Sequence, residues 1–218
     1  MNPSPSARTQ MTYQQIRAWS VLPPEALAVF EHLPREQFVP ETWRGAAYAD
    51  YAIPLGDGQH TLTPTVVGRL LQALSPTRGE SILEIGTGSG YLTACLARLG
   101  GKVHSLEIRP ALARQARINL RHAGIGNAEV EEADAFSWQS AAPGYDVVAI
   151  TGALPAVDAR FESLLNPGGR LFVVTGSAPV MTARLVRLTA QRLREETSLF
   201  ETLLDPLDNA AMTSRFEF

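Results

Sequence analysis

From position 81 onward, short apolar runs alternate with stretches in which apolar residues recur at helical spacing. The apolar runs at 81–85, 103–108, 128–132, 146–151 and 170–175 predict strands, and the stretches 89–99, 110–123 and 156–165 predict helices. Strand and helix repeated in this way imply a parallel sheet covered on both faces, a doubly wound α/β fold. Runs such as Val147-Val148-Ala149-Ile150 and Leu171-Phe172-Val173-Val174 suit strands buried on both sides. Two further strands, 183–188 and 197–202, follow Pro179 without a long helix between them and predict a hairpin closing one edge of the sheet.

The first third of the chain has a different pattern. Helical spacing predicts short helices at 13–19 and 24–32, with Pro23 and Pro24 where a helix begins. A third helix is expected at 64–74, where Val66, Val67, Leu70, Leu71 and Leu74 share a side. Between them, 34–59 has turn residues and isolated aromatics without a sustained period and reads as ordered loop. Residues 1–10, rich in Pro, Ser and Asn, read as a loose tail. With 218 residues, 45% of them hydrophobic, the chain makes one core of ordinary size. It is expected to be a single domain over 1–218, with a helical and loop cap at 11–77 on a core at 78–218.

The strand at 81–85 runs into Gly86-Thr87-Gly88-Ser89-Gly90 and then into a helix. Glycines at alternate positions let the backbone turn tightly and approach a ligand, while the helix start offers unpaired N–H groups. A phosphate-binding P-loop needs Lys and then Ser or Thr after the last glycine, where this chain has Tyr91-Leu92. A dinucleotide fingerprint counted from Gly86 puts Tyr91 at its third glycine, too large for close packing there. What remains is E-x-G-x-G-x-G. Glu84 at the strand end repels a pyrophosphate but suits the cationic amino and sulfonium groups of S-adenosylmethionine. The next two strands end in Glu107-Ile108 and in Asp134-Ala135. Glu107 is placed to accept from both ribose hydroxyls, and Asp134 from an adenine amine. The turn, with Thr87 and Ser89, and these three acids make a cofactor constellation that uses no metal.

Composition narrows the partners. A net charge of −3 gives no overall pull on nucleic acid or anionic lipid, which leaves a small molecule or peptide as the expected ligand. One cysteine, Cys95, excludes an intrachain disulfide and fits a reducing compartment. With no signal-like start and no apolar stretch of membrane-spanning length, a cytoplasmic protein is expected.

Several segments taken together resemble the protein-L-isoaspartate O-methyltransferase family: Leu33-Pro34-Arg35-Glu36-Gln37-Phe38-Val39-Pro40, Ala47-Tyr48-Ala49-Asp50, 53–59, 83–91 and 145–151. The resemblance implies a Rossmann-like, seven-stranded, mostly parallel sheet with its final strand inserted antiparallel. It implies transfer of a methyl group from S-adenosylmethionine, leaving S-adenosyl-L-homocysteine, to the carboxylate of isoaspartyl residues in damaged proteins or peptides. Carried over by position, Glu84, Gly86, Gly88, Glu107 and Asp134 hold the cofactor, and Gln59 and Thr151 lie near the transfer site. The third strand's end departs, with Asp134-Ala135 where the family usually has Asp-Gly, and so does one position of the acceptor loop. After Gly58-Gln59 the family reads Thr-Ile-Ser-Gln-Pro, the serine hydroxyl lying close to the acceptor carboxylate, whereas here His60-Thr61-Leu62-Thr63-Pro64 puts Leu62 at the serine. Thr61 or Thr63 supplies a hydroxyl only if the loop shifts, and His60 is the candidate base if one is needed. The departure keeps open a methyltransferase with another acceptor and a non-catalytic cofactor-binding scaffold. The end of the chain, 200–218, matches only loosely.

Overall fold

The computed structural model describes residues 5–142 and 144–210. Its centre is a seven-stranded sheet in the order β5-β4-β3-β6-β7-β8-β9, with a separate two-stranded hairpin β1-β2. Strands β3 (Ile82–Ile85), β4 (Val103–Glu107), β5 (Ala128–Glu132), β6 (Tyr145–Leu154) and β7 (Leu165–Ser177) run parallel. β8 (Val180–Leu188) lies antiparallel between β7 and β9 (Arg194–Glu201). The inserted antiparallel strand is therefore the penultimate one, and the last strand takes the edge. With tight turns joining β7 to β8 and β8 to β9, each strand pairs with the one before it.

Alternation along the strands assigns their side chains to two cores. Ile82, Val103, Val147, Ala149, Phe172 and Val174 face one, together with helices α3 (Pro24–His32), α4 (Pro64–Leu74), α5 (Tyr91–Leu99) and α6 (Pro110–His122). Leu83, Ile85, Leu106, Val148, Ile150, Leu171 and Val173 face the other. That second face has thinner cover, from Phe136 and Trp138, from Leu207, and from Phe161 on the short helix α7. The helix expected at 156–165 is only Ala159–Glu162, because Phe161 is its one buried residue and no apolar stripe supports more turns. Asp158 caps it, accepting from the Arg160 N–H (2.8 Å).

Of the loose tail expected at 1–10, 1–4 lies outside the described residues and the rest is a second correction. Residues Pro5–Gln10 form helix α1, which continues through the π-helical turn Met11–Ile16 into α2 (Arg17–Trp19). Arg8 docks it by donating to the Tyr48 hydroxyl (2.7 Å) and the Glu31 carbonyl (3.1 Å) and by pairing with Glu36 (3.2 Å). Within 34–59 the structure adds 3₁₀ turns at Arg35–Gln37 and Glu41–Ala46 and strand β1 (Pro54–Gly56), which pairs with β2 (Gln59–His60). Of the loosely matching end, 211–218 lies outside the described residues.

Register sets the site. Asp146 at the start of β6 accepts from the backbone N–H (2.8 Å) and hydroxyl (2.9 Å) of Ser81, just before β3. Ile85 consequently stands opposite Leu106 and Ile150, so the loops after β3, β4, β5 and β6 open on one edge. In open α/β sheets ligands bind in the crevice at that carboxyl edge.

Candidate active site

β3 leads into a turn whose three glycines all have left-handed backbone: Gly86 (φ +93°), Gly88 (φ +54°) and Gly90 (φ +83°). A Cβ on Gly86 would lie 2.3 Å from the Thr151 hydroxyl. That hydroxyl donates to the Gly86 carbonyl (2.6 Å), with the Ile85 carbonyl at 3.0 Å, so the end of β6 braces the turn. Gly90 also allows close packing, since a Cβ there would press on Ala116 of α6 (3.3 Å). The Thr87 hydroxyl is likewise turned inward, paired with the Ser105 hydroxyl (2.6 Å).

The turn borders a cleft of about 390 Å³ at the sheet's carboxyl edge. Glu107, Ile108, Asp134 and Ala135 line it, as do Gly86 and Gly88, so the predicted loop ends converge. Glu107 is 5% exposed and accepts from the Gly88 N–H (2.7 Å) and the Arg109 N–H (3.0 Å). Burial raises its pKa against those two bonds. Asp134 accepts from the Phe136 N–H (2.9 Å) and the Asn209 amide (3.0 Å).

Glu84 faces a smaller chamber of about 50 Å³, which shares Thr61, Leu62, Gly86, Gly88 and Thr151 with the cleft as walls. Its carboxyl is 0% exposed, and one oxygen accepts from the hydroxyls of Thr93 (2.5 Å) and Ser105 (2.6 Å). The other oxygen, Oε1, has no hydrogen-bond partner among the described residues. Burial pushes this carboxyl up to about 7, with Glu107 adding to the rise. An orphaned buried acceptor behind a cradle that only glycine fits is what an ammonium-bearing cofactor requires.

The opposite wall is strand β2 and the loop that follows it. Gln59, His60, Thr61, Leu62 and Thr63 all line the cleft. The Thr63 hydroxyl caps α4, accepting from the Val66 N–H (3.4 Å). The Thr61 hydroxyl accepts from the Ile53 N–H (3.0 Å) and from Arg35 Nη2 (2.9 Å). Leu62 packs against the core. The imidazole of His60 is held by Asp205 (3.1 Å), which also accepts from the His60 backbone N–H (2.7 Å).

Periodicity had no means of finding two contributors. Arg35 sits in the quoted Leu33–Pro40 segment, yet nothing there reveals that it is 1% exposed and reaches the acceptor loop. The segment 202–208 forms a further wall of the cleft and binds the loops around it. Asp205 meets His60, Asp208 pairs with Arg109 (2.9 Å), and the Leu207 N–H bonds to the Ala153 carbonyl (2.9 Å). The recurring acids Asp205 and Asp208 are its only sequence signal.

Residues 7–202 match the family model described as protein-L-isoaspartate(D-aspartate) O-methyltransferase. The chain belongs to the protein-L-isoaspartate O-methyltransferase family. It is 40% identical over 183 residues to protein-L-isoaspartate O-methyltransferase 1 of Rhodopseudomonas palustris, covering 84% of this chain and 74% of that one. It is 36% identical over 211 residues to the Aeropyrum pernix member, covering 94% and 81%. Its fold matches that of a Plasmodium falciparum protein described as a protein-L-isoaspartate O-methyltransferase and solved with S-adenosyl-L-homocysteine. The TM-score is 0.78 at 16% identity, covering 95% of this chain and 99% of that one. The family consists of S-adenosylmethionine-dependent methyltransferases. Among the described residues, no helix of this member is long and apolar enough to cross a membrane.

Proposed function

We propose that the chain methylates isoaspartyl carboxylates in proteins or peptides in the cytoplasm, using S-adenosylmethionine held between the glycine turn and the loops after β4 and β5. The observation that carries this reading is the convergence of Glu107, Asp134 and the unpartnered oxygen of Glu84 around one glycine cradle, facing the 59–63 loop. Glu107 takes the ribose hydroxyls, Asp134 the adenine amine, and Glu84 the amino group. When bound, the cofactor supplies an electrophilic methyl group, which an ionised carboxylate oxygen accepts without any proton being moved. The protein's contribution is therefore positioning and exclusion of water. No general base is called for, so His60 serves to tie the acceptor loop to the 202–208 segment.

A second reading, a different methyl acceptor, draws on Leu62, which puts an apolar side chain where the family has a hydroxyl. Labelled-methyl transfer to an isoaspartyl peptide and to its normal aspartyl counterpart separates the two. Leu62→Ser is expected to raise isoaspartyl turnover about tenfold, the rate equivalent of a hydrogen bond to a charged group, while affinity for S-adenosyl-L-homocysteine holds. A negligible rate on isoaspartyl peptide, unchanged by the substitution, would transfer support to the second reading. No turnover of the cofactor on any acceptor would leave a binding scaffold.

A further inference from the structure

We propose that Thr61, fixed in a donating orientation by the buried Arg35, supplies the hydroxyl hydrogen bond to the acceptor carboxylate, one residue away from the position the family uses. This rests on the isoaspartyl reading and names the residue that recognises the substrate.

A hydroxyl offers two lone pairs and one proton. At Thr61 the scaffold uses both lone pairs, one on the Ile53 N–H (3.0 Å) and the other on Arg35 Nη2 (2.9 Å). What remains is the proton, on a residue that walls both the cleft and the inner chamber. The Thr61 backbone is anchored as well, its N–H donating to the Ile53 carbonyl (2.9 Å). The donor is therefore held by two elements and needs no shift of the loop.

Arg35 gives that donor its strength. The guanidinium is 1% exposed and donates to the Ala47 carbonyl (2.5 Å), the Leu62 carbonyl (2.9 Å) and Thr61, each an uncharged oxygen. Asp50 acts on it only through space. Among the described residues, then, this buried cation is satisfied by neutral oxygens and has no counter-ion in contact. A carboxylate beside Thr61 would supply one, and a hydrogen bond received from a cation strengthens the bond the hydroxyl then donates. Leu62, partly buried and packed against the core, brings no hydroxyl of its own, so Leu62→Ser would add a second donor beside that of Thr61. Thr61 is thus a specificity residue and Arg35 a positioning residue.

The test is calorimetry of isoaspartyl peptide binding to the S-adenosyl-L-homocysteine-loaded protein, alongside steady-state kinetics. Thr61→Val should weaken peptide binding about ten- to a hundredfold and raise KM more than it lowers kcat, with affinity for S-adenosyl-L-homocysteine held. Thr61→Ser should retain most of the affinity, and Leu62→Ser added to Thr61→Val should restore part of it. Because valine also strands the Ile53 N–H and Arg35, Thr61→Cys provides a variant with a weaker donor in the same place, expected to lie between threonine and valine. Equal peptide affinity in folded Thr61→Val, or in Thr61→Cys where valine does not fold, overturns the proposal and leaves the isoaspartyl reading standing. If the unmodified loaded protein binds no isoaspartyl peptide, the isoaspartyl reading falls and this assignment with it.

Discussion

Glu107→Ala is expected to weaken S-adenosyl-L-homocysteine binding a hundredfold or more when measured by calorimetry. The carboxylate already holds the glycine turn through Gly88 and the start of the next loop through Arg109, one bond to each oxygen. Each oxygen retains a second lone pair for a ribose hydroxyl. Hydrogen bonds to a charged acceptor are worth roughly 1.5–3 kcal/mol apiece, so losing two costs about 3–6 kcal/mol before any loosening of the turn. Glu107→Gln keeps one carbonyl oxygen and should fall between the two. Unchanged affinity in Glu107→Ala would remove the residue from the cofactor site. Failure of the unmodified protein to bind either form of the cofactor would remove the cofactor reading altogether.

Glu84 should make both stability and cofactor affinity depend on pH, in opposite directions. Its folded-state pKa, about 7, lies above the ordinary 4.5, so between those values the folded protein holds a proton that the unfolded chain has released. Its contribution to stability is therefore fullest below about pH 4.5, declines as pH rises, and is lost above about 7. The span corresponds to about 3 kcal/mol. An ammonium group beside Oε1 favours the carboxylate, so cofactor affinity should rise as pH climbs through about 7. In Glu84→Gln both dependences should flatten, and the cofactor-free protein should be more stable than the parent at pH 8. Denaturation and binding curves for parent and variant that stay parallel across this range would show that Glu84 does not titrate there.

Both of these acids were legible in the sequence because they lie at the ends of strongly periodic strands followed by glycine or by a helix start. The same holds for β3 to β7 and for α4 to α6, where local pattern and tertiary burial agree. Helix α1 was missed because residues 5–10 bring little apolar surface of their own. What fixes it is Arg8 reaching Tyr48, 40 positions along the chain, and pairings of that range leave no period. The helix at 156–165 was overread for the converse reason, since its apolar residues have little second-face core to meet. At the acceptor loop the sequence showed what was absent, a serine at 62. It did not show that the Thr61 hydroxyl is tied to Arg35, a contact made only once the Leu33–Pro40 segment packs beneath the loop.

The match to the family model ends at residue 202, where the wall of the cleft made by Thr202–Asp208 begins. The sheet and glycine turn are complete without that wall, which is fastened by Asp205 to His60 and Asp208 to Arg109 at its rim, by backbone bonds of Asp205 and Leu207 with Ala153, and by Leu207 packed on the second core. The lip is in effect a separately fastened gatepost. A change confined to its outward side chains would alter which surfaces reach the cleft while leaving the sheet and the glycine cradle as they stand.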